Sequence, residues 1–172
     1  MKSLYQSGFG TLTFKPEGVG MEASGKPRRV LIVAHRTAAT PALIEAVRAR
    51  AQEGSATFTL LVPNPAHGLH RVVDPEDVDS TEGHDTLELA IPLLEQATGT
   101  EVEGMLGVAE PLAAIQDAVN IHGFDEIIVS TLPKRVSKWL RLDLPHKAAG
   151  LGLPVTVVTA QGTEKLAANA PT

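Results

Sequence analysis

The chain has 172 residues, of which 43% are apolar and 3% aromatic; its net charge is −5 and it contains no cysteine. That length suits one domain with a sizeable core plus a tail. The negative charge and scarce aromatics argue against a nucleic-acid surface or attraction to an acidic membrane, and the lack of cysteine excludes a disulfide framework, thiolate chemistry and a Cys-based zinc site.

No apolar run approaches the roughly 20 residues needed to cross a bilayer. The first 25 residues lack the continuous apolar stretch of a signal peptide. The expectation is a soluble, cytoplasmic protein with neither a nucleic-acid nor a membrane partner. Residues 1–27 show no sustained periodicity and are expected to be a flexible tail, the alternative being a short strand at Gly10-Thr11-Leu12-Thr13-Phe14.

The first clear strand is Arg29-Val30-Leu31-Ile32-Val33-Ala34. His35-Arg36-Thr37 leads from it to a helix with Thr40 as N-cap, Pro41 in first position, Leu43, Ala46, Val47 and Ala51 on the apolar face, and Gly54 at the end. Thr57-Phe58-Thr59-Leu60-Leu61-Val62 is the second strand, stopped by Pro63-Asn64-Pro65. A long loop over 66–81 follows, ending in Asp74, Glu76, Asp77 and Asp79; these acids fit a solvated loop better than a cation site, because regular Ca²⁺-loop spacing is missing. His67 and His70 sit three apart in that loop without a certain third ligand, so solvation is again favoured over a metal.

Asp85 is placed to cap a helix over 87–97, with Pro92 kinking it or delaying its start. The third strand is 100–107, and Pro111 then opens a helix with Leu112, Ile115 and Val119 on one face and Gly123 at its end. Phe124-Asp125-Glu126-Ile127-Ile128-Val129 is the fourth strand and Pro154-Val155-Thr156-Val157-Val158 the fifth. Between them lies a short basic helix, with Val136, Trp139 and Leu140 on one side and Lys134, Lys138 and Arg141 on another. Such alternation predicts an α/β fold: a five-stranded parallel sheet in flavodoxin-like order 3-2-1-4-5, with helices on both faces. The domain is expected over 28–160, with a C-terminal tail over 161–172. Strand 5, the last element, is expected at a sheet edge and available for antiparallel pairing in a homodimer.

No Gly-x-Ser-x-Gly elbow, Gly-x-x-x-x-Gly-Lys-Ser/Thr loop or Gly-x-Gly-x-x-Gly motif is present. With no nucleophile–base pair to name, a catalytic role is not expected. Ligands in open α/β sheets sit at the C-terminal strand ends. His35 and Arg36 end the first strand there; Arg36 either neutralises a phosphate or carboxylate or pairs with an acid of the next loop. Ser130 and Thr131 end the fourth, followed by Lys134, Arg135, Ser137 and Lys138, which form either an anion site or a packed helix with solvated charges. The candidate ligand-binding set is His35, Arg36, Val62, Ser130, Thr131, Lys134, Arg135 and Ser137.

Over 28–160 the chain resembles the universal stress protein family. The resemblance rests on Val30-Leu31-Ile32-Val33-Ala34, Gly107-Val108-Ala109-Glu110-Pro111-Leu112-Ala113-Ala114-Ile115, Phe124-Asp125-Glu126-Ile127-Ile128-Val129-Ser130-Thr131 and Leu153-Pro154-Val155-Thr156-Val157-Val158. It implies a five-stranded parallel α/β sandwich that usually dimerises, often along the last strand. In nucleotide-binding members, ATP lies between the ends of strands 1 and 4. Those members carry an acid after strand 1, where this chain has Arg36, and Gly-x-x-Gly, nine residues, then Gly-Ser/Thr after strand 4. The glycines fall here on Thr131, Lys134 and about Leu144. The resemblance therefore implies a regulatory or ligand-sensing domain without family-type ATP binding and with no firm cofactor. Weak binding of a nucleotide, phosphate or another anion is expected. The alternative is a dimeric interaction module with no small ligand, whose basic helix meets an acidic protein partner.

Overall fold

A computed structural model of the chain describes residues 25–64, 78–160, 162–166 and 168. The N-terminal tail as far as residue 24, His67, His70, Asp74, Glu76 and Asp77 lie outside the described residues. In chain order the elements are β1 (Arg28–Val33), α1 (Pro41–Glu53), β2 (Ala56–Pro63), α2 (Val78–Thr98), β3 (Val102–Gly107), α3 (Pro111–His122), β4 (Glu126–Ser130), α4 (Lys138–Arg141), α5 (Leu144–Ala149), β5 (Val155–Thr159) and β6 (Gly162–Leu166).

The unbroken apolar run of β1 is explained by burial on both faces. Val30 and Ile32 enter one core with Leu43 and Val47 of α1 and Ala90 and Leu94 of α2. Leu31 and Val33 enter the other, with Ala114, Ile115 and Ala118 of α3 and Leu144, Ala148 and Ala149 of α5. Sheet order is β3-β2-β1-β4-β5-β6, and the first five strands are parallel. The 3-2-1-4-5 order expected from β–α alternation is thus present, extended by one strand.

That extra strand corrects two expectations. β6 runs antiparallel along β5, with Val157 opposite Glu164. The segment expected to be a tail therefore continues the sheet, and β5 is an interior strand. A homodimer formed along a β5 edge would first have to displace β6. Only two residues of sequence separate β5 from β6, a spacing that suits antiparallel pairing of the chain with itself.

Helix α2 begins at Val78, well before the expected start, and contains Pro92. Proline removes one backbone donor, but Pro92 and Glu88, four residues earlier, are both exposed, so water can satisfy the released carbonyl. Helix α3 is capped by Glu110, whose carboxylate accepts from the N–H groups of Leu112 at 3.1 Å and Ala113 at 2.6 Å. The basic segment differs most from expectation. Its helix spans only Lys138–Arg141, because the N–H groups of Val136 and Ser137 donate to the Pro133 carbonyl in a preceding turn. Val136 consequently leaves the face shared by Trp139 and Leu140 and is 61% exposed.

Candidate functional site

Val33 of β1 is level with Val129 of β4, so the chain leaves both strands at the same height. Helix α1 then packs on one face of the sheet, while α3 and α5 pack on the other. The divergence opens a cleft of about 510 Å³ lined by His35, Arg36, Thr37, Ser130, Thr131 and, from the following segment, Leu132, Val136, Ser137, Lys138 and Trp139.

Its floor is a hydroxyl latch. Thr37 Oγ1 donates to the Ser130 carbonyl at 2.9 Å and accepts from Ser130 Oγ at 2.8 Å. Thr40, at the N-cap of α1, turns its hydroxyl back to the Thr37 carbonyl at 2.9 Å instead of capping the helix. On the far wall Thr131 and Ser137 share a hydrogen bond through their hydroxyls, and Ser137 Oγ also accepts from the Leu140 N–H at 3.1 Å. The Thr131 N–H is taken by the Val158 carbonyl at 2.9 Å. Ser130, Thr131 and Ser137 are buried; the Ser130–Thr37 pair joins the two walls, and the Thr131–Ser137 pair ties the far wall to itself.

The rim supplies charge. Arg36 and Lys138 are exposed and line the cleft. Neither has a carboxylate within ion-pair distance among the described residues, and no lining residue is acidic. His35 Nε2 is buried without a hydrogen-bond partner; Glu82 Oε2 approaches it to 3.8 Å, too far for a hydrogen bond. Two cations without an ion-pair partner among the described residues and the side chain of Trp139 thus line the cleft, while His35 Nε2 lies beneath its surface.

The cleft brings together His35, Arg36, Ser130, Thr131 and Ser137 from the expected set. Val62 does not reach it; this side chain is fully buried in the core beneath α1 and α2. Lys134 and Arg135 are exposed on the outer turn and do not line it. Lys138 takes the place expected for Lys134. A continuous helix would have put both on one side, and only the late helix start separates them. Thr37, Leu132, Val136 and Trp139 complete the lining. Of these, Thr37 had a sequence signal, a hydroxyl directly after the strand-end pair His35-Arg36. No group of three or more His, Asp or Glu side chains among the described residues is placed to hold a metal ion.

No protein-family model and no curated protein matches the chain. Solved structures do. A universal stress protein from Archaeoglobus fulgidus superposes with a TM-score of 0.56 at 20% identity, over 76% of this chain and 93% of that one. A universal stress protein in complex with cAMP superposes with a TM-score of 0.56 at 16% identity, over 76% of this chain and 96% of the other. The fold is that of the universal stress proteins. The loop after β4 carries Thr131 and Lys134, and the Thr131 side chain is packed against Ser137.

Proposed function

We propose that the chain is a ligand-sensing domain that captures a small phosphate-bearing or other anionic molecule between the ends of β1 and β4. The observation that carries this reading is a cleft lined by Arg36 and Lys138 with no acidic residue among the described residues of its lining. Well-aligned charge-assisted hydrogen bonds contribute about 1.5–3 kcal/mol each, so two cations support modest affinity. Trp139, Leu132 and Val136 offer cover for an apolar or ring-bearing part of the ligand. The ligand named for one structural neighbour, cAMP, combines a ring system with a single phosphodiester and is of the class proposed here.

Binding of ATP in the family manner is not part of the proposal. Glycines at a phosphate loop let backbone N–H groups approach the anion closely. Here Thr131 carries a buried side chain, and its own N–H is committed to Val158. Side-chain cations therefore do the work, which favours compact anions over an extended triphosphate.

The test is a thermal-shift and calorimetric series with inorganic phosphate, cAMP, AMP, ADP, ATP and adenosine. Saturation at about 100 times Kd adds roughly 2.7 kcal/mol of stability, well within detection. The proposal expects phosphate-bearing ligands to rank above adenosine, with affinity falling as salt rises. Stabilisation by adenosine equal to that by AMP would remove the role of charge.

A further inference from the structure

The turn and helix over 132–142 carry a second feature on their outer side, adjoining the cleft that Leu132, Val136 and Lys138 also line. Lys134, Arg135, Lys138 and Arg141 are all exposed. None lies within ion-pair distance of a carboxylate among the described residues. The next acid in sequence, Asp143, is engaged with His146 Nδ1 at 2.6 Å. Arg141 Nη1 donates to the Arg135 carbonyl at 3.3 Å, drawing the two ends of the segment together. Interleaved with these cations are Leu132 at 40%, Val136 at 61% and Leu142 at 55% exposure. Solvated charge alone would not call for three large aliphatic side chains left open on one short segment of a chain whose net charge is −5.

We propose that this segment is a docking surface for an acidic peptide segment of a partner protein, in which carboxylates alternate with aliphatic or aromatic side chains. The carboxylates meet Lys134, Arg135 and Arg141, and the apolar side chains cover Val136 and Leu142. Complementary charge sets orientation and encounter rate, while burial of the aliphatic groups slows dissociation. An anionic membrane fits less well. A flat charged surface opposes the negative field of the whole chain, whereas a peptide senses only the cations within a Debye length of about 8 Å.

Fluorescence anisotropy on the full chain tests this with short labelled peptides in which Asp and Glu alternate with Leu and Phe. Counterparts carrying Asn and Gln, and vesicles containing phosphatidylserine, serve as comparisons. The acidic peptides are expected to bind at least about tenfold more tightly than their amide counterparts, an advantage lost at high salt. Lys134→Glu with Arg135→Glu, and separately Leu142→Ser, should each weaken binding by about tenfold or more, while Arg48→Ala, on α1 and paired with Glu45, leaves it unchanged. Circular dichroism melts check that each variant folds. Inorganic phosphate binding by the Leu142→Ser variant keeps failure of this surface distinct from failure of the cleft. Equal affinity for acidic and amide peptides, full affinity in the charge-reversal variant, or binding to the vesicles with none to the peptides would each overturn the proposal.

Discussion

The two ends of the sheet use the same residue types in opposite ways. At the N-terminal end of β1 and β4 the arginines are matched by partners from the chain itself. Arg50 donates two hydrogen bonds to the Glu126 carboxylate at 2.9 and 2.8 Å, and Arg28 lies 3.7 Å from the same group. The Arg29 N–H donates to Asp125 Oδ2 at 2.8 Å, while its guanidinium sits 5.4 Å from the centre of the Phe124 ring. At the C-terminal end, Arg36 and Lys138 line a cleft with no acid among its described lining residues. An arginine whose countercharge is built into the fold is a fastener. One with no countercharge among the described residues is, on the function proposed here, available to a ligand.

Changes at the first end should therefore cost stability, and changes at the second should cost binding. The largest stability effect is expected for Glu126→Ala, which strands Arg50 in a site where its side chain is only 13% exposed. Losing the charge-assisted hydrogen bonds of this partly buried pair costs about 1.5–3 kcal/mol; a lower urea midpoint at unchanged m-value, with phosphate binding intact, would show it. The hydrogen bond to Glu126 raises the Arg50 pKa against the opposing effect of burial, and the charges of Glu126 and Glu53 add to it. A raised pKa keeps this contribution fully present below the ordinary arginine range, and it is lost only as pH rises through the elevated value. Deprotonation of Arg50 should thus cause no loss of stability between neutrality and pH 10.

Gly107→Ala comes next. A methyl there would lie 2.6 Å from Ala114 Cβ and 3.0 Å from Leu61 Cδ1. Ala114 has no rotamer through which to move away, so α3 must shift, at about 1–3 kcal/mol. Gly104→Ala should cost less, since its nearest neighbours are the flexible tips of Ile91 and Leu87. Thr37→Val sharpens the contrast because the latch belongs to both categories. It removes the donor to the Ser130 carbonyl and the acceptor for Ser130 Oγ. Stability should fall by about 1–2 kcal/mol and ligand affinity should fall with it, both readable from melts with and without phosphate. The smallest stability change, within about 0.5 kcal/mol, is expected for Arg36→Ala with Lys138→Ala, as both are surface side chains.

Strand order and the position of the cleft were legible in the sequence because they follow from two robust signals. Runs such as Val30–Val33 announce burial on both faces, and strand-to-strand spacing leaves room for a helical crossover each time. The site's outer wall was less legible. Its form depends on whether Pro133 starts a helix or closes a turn, and a hydrogen-bonding choice of that kind leaves no periodicity to detect. Once the turn forms, Val136 rotates to solvent, Lys134 leaves the rim and Lys138 takes its place. β6 escaped for a similar reason. Gly-Thr-Glu-Lys-Leu has little strand character of its own and is held by pairing with β5.

The claim that unpaired cations make the cleft a ligand site is tested most directly by isothermal titration calorimetry with inorganic phosphate and cAMP. The titrations compare the unmodified chain with the Arg36→Ala, Lys138→Ala double variant at low and high salt. The account predicts saturable binding that weakens as salt rises and disappears in the double variant, whose melting temperature stays within a few degrees of the original. Binding that ignores salt, or that survives the loss of both cations at full affinity, would contradict it.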